Sequence, residues 1–267
     1  ALAAGALAAN LYYAQPVVAL IGADLGMSPA TESLIVTASQ IGYAIGLVLL
    51  VPLGDVTENR RLILLTMSAA VLGLLGLAFV PNLPVLLALT LLVGVASTAA
   101  QMIVPLAANL AAPHERGRVV GNIMTGLLGG ILLARPVSSF VAGVAGWRGI
   151  FVLSAICVAV LALAGMRLFP SRRPQVRQSY GSLIRSLGTL FLSEPILRRR
   201  ALYHAAMFAS FGMFWTGAPI VLLREPYSLS PQWVALFTLS GVLGVFAAPV
   251  AGRMADRGHS LRGTALA

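Results

Sequence analysis

The sequence has no lysine and few residues of negative charge. Its 18 strongly basic residues are all arginines and only 8 residues are Asp or Glu, so charged residues make up 10% of the chain. Soluble domains carry roughly 25% charged residues. The chain is 58% hydrophobic and has a mean hydropathy of +0.91. This composition excludes an ordinary soluble domain and predicts a protein that folds in an apolar solvent.

The motifs of the common enzyme classes are absent as well. The single cysteine, Cys157, lies in an apolar run and cannot form an internal disulfide. His114 and Glu115 are not followed by a second histidine at the spacing of a zinc protease. The sequence has neither a Gly-x-Ser-x-Gly segment nor a phosphate-binding loop. We therefore predict no catalytic residue, no metal site and no cofactor.

What the sequence has instead is a series of apolar runs of about 20 residues, the length that crosses ~30 Å of hydrocarbon as an α-helix. Hydropathy predicts about eight transmembrane helices, at residues 1–22, 32–54, 62–80, 85–110, 119–143, 149–169, 201–223 and 232–252. The predicted fold is that of an all-α membrane protein, which crosses a lipid bilayer several times.

The arginines lie in alternate loops between these spans. One side of the membrane receives nearly all of them, in loops 55–61, 113–118, 170–200 and 253–262. The loops of the other side hold only Arg148 and Arg224. By the positive-inside rule the arginine-rich side is cytoplasmic, which places residues 224–231 outside. Because the arginines separate hydrophobic spans, they indicate topology, and we expect no nucleic-acid partner.

The longest loop divides the chain into three parts. We predict a six-helix bundle at 1–169, a cytoplasmic loop at 170–200 and the start of a second bundle at 201–267. Apolar residues recur near helical spacing between Tyr180 and Leu192. Two interpretations stay open: a short helix lying on the membrane surface, or a solvated linker with incidental leucines.

The cytoplasmic ends of the second and eighth spans carry similar sequences. The first reads Val51-Pro-Leu-Gly-Asp55-Val-Thr-Glu-Asn-Arg60-Arg61, and the second reads Gly252-Arg-Met-Ala-Asp256-Arg257. An aspartate at the foot of corresponding spans, six spans apart, indicates a duplicated six-helix unit. Parallel repeats of this kind are one architecture of transporters.

These segments resemble the signature of the major facilitator superfamily, Gly-x-Leu-Ala-Asp-Arg-x-Gly-Arg-Arg. The second copy matches through Gly252, Asp256 and Arg257, and the first copy keeps Asp55 and Arg60. The segment 10–16, Asn-Leu-Tyr-Tyr-Ala-Gln-Pro, resembles bacterial efflux-type members that are described as sugar or drug exporters. The resemblance implies a fold of twelve spans. We expect this chain to be a C-terminally truncated fragment: the N-terminal six-helix bundle plus the first two helices of the second bundle.

The resemblance also implies a function. It indicates a secondary active transporter, an efflux permease, that moves a small solute by alternating access and acts as a monomer. A proton is a candidate coupling ion, although the predicted spans contain no acidic residue inward of Glu32, which stands at the very end of the second span. Gln101 stands in the fourth span, which lacks the arginine of the family's antiporters, and this argues against drug:proton antiport. The alternatives are a non-transporting membrane sensor and a membrane-embedded enzyme.

Polar and charged side chains within the spans are the candidates for the solute cavity. Arg135 is the one charge well inside the hydrocarbon, where it costs about 3 kcal/mol on insertion scales and should face a polar cavity. Its alternative role is a structural bond to carbonyls freed by Pro136. A guanidinium there would favour an anionic or hydroxyl-rich solute, or would act as a counter-ion to a carboxylate. The other candidates are Asn10, Tyr12, Tyr13, Gln15, Gln40, Tyr43, Gln101, Phe214 and Trp215.

The signature loops supply the candidate gate residues, which are Asp55, Arg60, Gly252, Asp256 and Arg257. A carboxylate at the foot of a span can pair with a loop arginine or with a helix N-terminus. Such contacts would hold one conformation until transport breaks them. The alternative is a plain surface ion pair, which would contribute about 0–1 kcal/mol.

Overall fold

The computed structural model of the protein describes residues 1–112, 114–171 and 179–240. These residues form helices and turns, and no strand occurs among them. The prediction of an all-α protein is confirmed for this part of the chain. The gate candidates Gly252, Asp256 and Arg257, and the second half of the predicted eighth span, lie outside the described residues.

The helices follow one another through short turns. They are α1 (Leu2–Ala9), α2 (Val18–Asp24), α3 (Pro29–Leu53), α4 (Asn59–Ala78), α5 (Leu83–Ser97), α6 (Ala99–Leu110), α7 (Arg116–Leu168), α8 (Tyr180–Ser193), α9 (Pro195–Leu223) and α10 (Pro231–Leu239). Five described stretches are long and apolar enough to cross a membrane: Ala30–Leu53, Asn59–Ala78, Leu83–Leu110, Arg116–Leu168 and Pro195–Leu223.

The first predicted span is not a continuous helix. It consists of α1 and α2, joined by turns and a 3-10 segment at Gln15–Val17. Pro16 explains the interruption, because proline lacks an N–H and its ring clashes with the carbonyl of the fourth residue before it. The backbone bonds here become shorter-range, for example from the N–H of Gln15 to the carbonyl of Tyr12. The freed carbonyl of Tyr13 accepts a bond of 2.6 Å from the Ser138 hydroxyl.

Three further predicted spans differ from single regular helices. The fourth divides at Thr98, where α5 ends and α6 begins. The fifth and sixth run together as α7, whose helical geometry is interrupted at Gly146 with φ 71° and ψ 167°. That backbone conformation favours glycine, which has no Cβ to clash. The predicted loop Gly146–Arg148 is therefore a one-residue corner.

Glycines allow the helices of the first bundle to approach closely. A Cβ on Gly130 of α7 would collide with the backbone of Gly5 in α1, and a Cβ on Gly42 of α3 would collide with the carbonyl of Leu91 in α5. Gly129, by contrast, has nothing within 4 Å of the position of its Cβ. Small residues serve this role in membranes, where lipid gives no hydrophobic drive for helix association.

The buried core lies within the first bundle, and large apolar side chains cover its outside. Ile63, Leu74, Leu86 and Ile150 are completely buried. Leu72, Phe79, Val144, Leu163 and many similar residues are exposed. An exposed apolar surface of this extent fits lipid and not water.

The segment after α7 contains a helix. Ser179 caps the N-terminus of α8 by accepting a bond from the N–H of Ser182, and Leu187, Leu190 and Phe191 are exposed along the helix. The hydroxyl of Tyr180 donates to the carbonyl of Leu49 at the end of α3, with 2.7 Å between the oxygens. Of the two interpretations left open for this segment, the structure contains the helix; its position on a membrane surface stays a prediction.

Helix α9 begins at Pro195, six residues before the predicted seventh span. Arg198, Arg199 and Arg200 therefore form its first turns and are not loop residues. Because an arginine stem can extend from a helix to the membrane interface, these turns can lie at the edge of the hydrocarbon. Most residues of α9 are exposed, and its most extensive contacts are with the break between α1 and α2, with α8 and with α10.

Candidate functional site

The most unusual side chain of the structure is Arg135. It lies in the middle of α7, immediately before Pro136, and only 2% of its surface is exposed. Its Nε donates a hydrogen bond of 3.0 Å to Oε1 of Gln15, in the interrupted segment between α1 and α2. Its Nη2 is buried and has no hydrogen-bond partner among the described residues. The observed bond is thus to a side chain of the first span and not to a carbonyl near Pro136.

Three aromatic rings surround the guanidinium. Its central carbon lies 4.7 Å from the ring centroid of Tyr12, 4.9 Å from that of Trp215 and 5.2 Å from that of Phe211. A cation within about 6 Å of a ring face is attracted by the ring's quadrupole. Tyr12 belongs to the first bundle, whereas Phe211 and Trp215 belong to α9. We call Arg135, Gln15, Tyr12, Phe211 and Trp215 the arginine cluster.

Further aromatic side chains extend this cluster along α9 and α10. Phe214 packs edge-on against Trp215 with 5.3 Å between the ring centroids, and Phe237 of α10 lies 6.1 Å from Trp215. Phe214 itself is exposed and does not contact the guanidinium. The ring of Phe214 supports that of Trp215. Of these two predicted cavity residues, Trp215 contacts the guanidinium and Phe214 contacts Trp215.

A second polar pair lies beside the cluster. Nε2 of Gln101 in α6 donates to the hydroxyl of Tyr43 in α3, at 2.9 Å. Tyr43 packs against the buried group that contains Tyr12. Gln40 is half-buried one turn earlier on α3. Two of the predicted cavity residues, Tyr43 and Gln101, therefore lie beside the cluster on the side of α3 and α6.

The Asn10 side chain and the backbone of Tyr13 form hydrogen bonds with residues of α7. Oδ1 of Asn10 accepts a bond of 2.6 Å from the Ser154 hydroxyl, while its Nδ2 is buried without a described partner. The carbonyl of Tyr13 is held by Ser138, and the hydroxyl of Ser139 is buried with no described partner. These contacts connect the interrupted span to α7, and neither Asn10 nor Tyr13 contacts the guanidinium of Arg135.

Two ion pairs lie at the side predicted to be outside. Oε2 of Glu32 accepts a bond of 3.0 Å from Arg224, which joins the start of α3 to the end of α9. The Glu32 side chain is only 8% exposed, and Gly22 leaves room for its carboxylate. Asp24 pairs with Arg148 at 2.5 Å within the first bundle. The hydrogen bond from Arg148 lowers the pKa of the Asp24 carboxyl, so this pair persists at neutral pH and is lost on acidification.

The first gate candidates do not bridge the two bundles. Asp55 is exposed in the turn after α3 and forms no ion pair with a described residue. Arg60 donates to the carbonyl of Met166, which joins α4 to the end of α7 inside the first bundle. The gating role of Asp55 and Arg60 stays a prediction, together with that of the three residues outside the described part.

Sequence reasoning missed several members of this region. Phe211 was not among the predicted cavity residues, and neither Ser138 nor Ser154 was considered, because a hydroxyl in a span is usually satisfied within its own helix. The ion pair of Glu32 and Arg224 was also missed. The pair could have been predicted from the opposite charges of Glu32 and Arg224, because the topology places both residues on the same side of the membrane.

The sequence profile described as Major Facilitator Superfamily matches residues 1–267. Among curated proteins, the "Uncharacterized transporter YgaY" of Escherichia coli O157:H7 is 42% identical over 259 residues, which cover 97% of this chain and 66% of that protein. The "Probable transporter SCO4007" of Streptomyces coelicolor is 32% identical over 258 residues, covering 96% and 60%. The chain thus spans about two thirds of the length of the first relative and less of the second.

Two sugar transporters are also similar to this chain. A "D-xylose transporter" of Levilactobacillus brevis is 32% identical over 148 residues, which cover 55% of this chain and 32% of that protein. The crystal structure of a D-xylose-proton symporter superposes with a TM-score of 0.67 over 96% of this chain and 67% of that chain. With 16% sequence identity, this second likeness shows a shared fold alone.

Proposed function

Since the chain belongs to the major facilitator superfamily, we propose that the protein is a secondary transporter that moves a small solute across a bacterial plasma membrane by alternating access. Arg135 lies on the solute pathway. We place the protein in the membrane as a monomer. The observation that carries this proposal is the arginine cluster, in which a buried guanidinium, whose Nη2 has no described partner, lies where the break between α1 and α2 meets α7 and α9.

The position of the cluster supports alternating access. A charge in the interior of a membrane protein is costly, and such residues usually face a partner or a solute pathway. Here the guanidinium is enclosed partly by Tyr12 and Gln15 of the first bundle and partly by two rings of α9. Because the rings of α9 cover the guanidinium, movement of α9 away from α7 and from the break between α1 and α2 would give a solute access to Nη2. Rocking of one bundle against the other around a central site is the motion that this requires.

The relatives guide the choice of solute and direction. One similar protein, 32% identical over 148 residues, carries D-xylose in its name, which favours a small solute with several oxygen atoms. We propose export as the direction, because the segment 10–16 resembles that of efflux-type members. A coupling proton is included in the proposal, and Asp55 and Asp256 serve as gate residues at the cytoplasmic side.

The test is solute flux through the purified protein in liposomes of Escherichia coli lipid. A panel of labelled solutes is used, including D-xylose, gluconate and benzoate, with empty liposomes as the background. We expect at least one solute to cross faster with the protein, and Arg135→Ala to reduce that flux to background. Arg185→Ala, which changes an exposed arginine of α8, is the matched control and should leave flux unchanged.

Two outcomes would contradict the proposal. If no solute of a broad panel crosses faster than through empty liposomes, the protein is a sensor or an enzyme and not a transporter. If the Arg135→Ala variant elutes as a monodisperse protein and carries solute at the wild-type rate, the transport site lies elsewhere. Measuring flux with liposomes of inverted and of native orientation separates export from import.

A further inference from the structure

Among the residues that the structure describes, no counter-charge lies near the positive charge of Arg135. The described acidic residues all lie at helix ends or in turns: Asp24, Glu32, Asp55, Glu58, Glu115, Glu194 and Glu225. The ion pairs among described residues join other arginines, namely Arg118, Arg148 and Arg224. The arginine cluster therefore carries one net positive charge within a layer of low dielectric constant, where an uncompensated charge is most costly.

The hydrogen bonds of the guanidinium are incomplete as well. Nε is satisfied by Gln15, whose amide is neutral and cannot compensate the charge. Nη2 is buried and has no described acceptor. Buried donors in native proteins are nearly always paired, so an unpaired one needs an explanation. A hydrogen-bond acceptor that arrives with the solute would supply the partner that the described residues lack.

The three aromatic rings provide part of the stabilisation that a counter-charge or a hydrogen-bond acceptor would give the guanidinium. Tyr12, Phe211 and Trp215 stabilise the cation through their ring faces, but they accept no conventional hydrogen bond there. Two of the rings belong to α9, so the motion that admits the solute also removes them from the cation. When α9 moves, the site loses cation–π stabilisation, and a ligand of negative charge compensates that loss most directly.

We propose that the solute carries a single negative charge on a carboxylate, which binds Nη2 of Arg135 while Gln15 holds Nε. This inference rests on the proposed function and specifies its solute class. A monocarboxylate brings the charge of the site to zero, whereas a neutral solute leaves it positive and a dianion makes it negative. The planar guanidinium also matches the geometry of a carboxylate.

The experiment measures the thermal stability of the purified protein in detergent with matched pairs of ligands. The pairs are benzoate and benzamide, gluconate and glucose, and lactate and lactamide, with phthalate as a dianion and chloride as an inorganic anion. A ligand that binds only the folded protein raises the unfolding temperature. We expect at least one monocarboxylate to raise it, with an apparent affinity about tenfold or more above that of its neutral partner.

Two variants identify the site. Gln15→Glu places a carboxylate beside Nε and keeps the arginine, so it should supply the counter-charge internally and abolish stabilisation by monocarboxylates. Arg135→Gln should abolish it by removing the cation. Arg185→Gln, on exposed α8, should preserve the wild-type response. Because Gln15→Glu is nearly isosteric, it tests the inference even if Arg135→Gln fails to fold.

The inference is wrong if no monocarboxylate stabilises the protein more than its neutral partner does, or if the preference survives in Gln15→Glu. It is also wrong if phthalate or chloride stabilises as well as the best monocarboxylate. The flux assay separates these results from failure of the proposed function. Flux of neutral solutes without a carboxylate preference would keep the transporter and reject the anion. Carboxylate binding without flux would keep the carboxylate as the ligand and reject the transporter.

Discussion

Arg135 is tolerated in the interior of the bundle because its cation lies among ring faces and one amide oxygen. Each cation–π contact contributes about 0.5–2 kcal/mol, depending on how dry the site is. The hydrogen bond to Gln15 adds a directional restraint, which fixes the guanidinium by its Nε and leaves Nη2 for another acceptor. Both the planar shape of the guanidinium and its charge therefore contribute to the site.

Replacing Arg135 by lysine separates charge from shape. The ammonium of Arg135→Lys keeps the positive charge but loses Nε, the planar fork and the stacking of a flat group on rings. We expect solute flux in liposomes to fall by about tenfold without being abolished, the size of a lost cation–π contact together with a hydrogen bond. Wild-type flux in this variant would show that charge alone is sufficient, and flux at background would show that the fork is indispensable.

Depth in the membrane could be predicted at the residue scale, but side-chain direction could not. A rise of 1.5 Å per residue is enough to place Tyr12, Arg135 and Trp215 at a similar level from sequence. Which of them face one another depends on how each helix is rotated about its axis. For this reason Phe211, which contacts the guanidinium, was not predicted, whereas Phe214, which does not, was.

At the scale of the helices, hydropathy predicted the spans but not their interruptions. The bounds of α3 and α4 agree with the second and third predicted spans to within a few residues. The first span was predicted as one continuous helix although it contains Pro16, because its apolar composition continues past the proline. The interruption exposes backbone groups and turns Gln15 toward Arg135, so the break itself helps to build the site.

Adjacent glycines of α7 test how closely α1 and α7 pack. A methyl group on Gly130 would collide with the backbone of Gly5, whereas one on Gly129 meets nothing within 4 Å. We expect Gly130→Ala to lower the unfolding temperature in detergent and to reduce the yield of folded protein. Gly129→Ala should be neutral or slightly stabilising, since alanine favours a helix by about 1 kcal/mol over glycine. Equal effects of the two changes would contradict the packing that the structure shows.

At the scale of the whole molecule, the placement of arginines predicts which surfaces face the cytoplasm. Ser171 and Ser228 are both exposed and lie in loops predicted to be on opposite sides. In a Cys157→Ser background, a membrane-impermeant thiol reagent added to intact cells should label Ser228→Cys and not Ser171→Cys. Labelling of both after the membrane is permeabilised is the control. The reverse pattern in intact cells would invert the topology.

At the predicted outer side, the pair of Glu32 and Arg224 joins the start of α3 to the end of α9. Its members are distant in the sequence, and its carboxylate is nearly buried, so water screens the pair less than it screens a surface pair. In the structure, this pair and the rings on Arg135 both hold α9 against the first bundle. If transport requires α9 to move, then both contacts must break in each cycle.

Cross-linking these two positions tests that requirement. In a Cys157→Ser background, Glu32→Cys with Arg224→Cys is treated with a short, reducible bifunctional thiol reagent. We expect the link to stop solute flux and reduction to restore it, because α9 can no longer separate from α3. Asp24→Cys with Arg148→Cys is the matched control: this pair also bridges two helices, but both belong to the first bundle. Its link should leave flux unchanged, since the halves rock as rigid bodies. Full flux through the protein linked at 32 and 224 would show that the outer ends of α3 and α9 stay together throughout transport, and the moving boundary would then have to lie elsewhere.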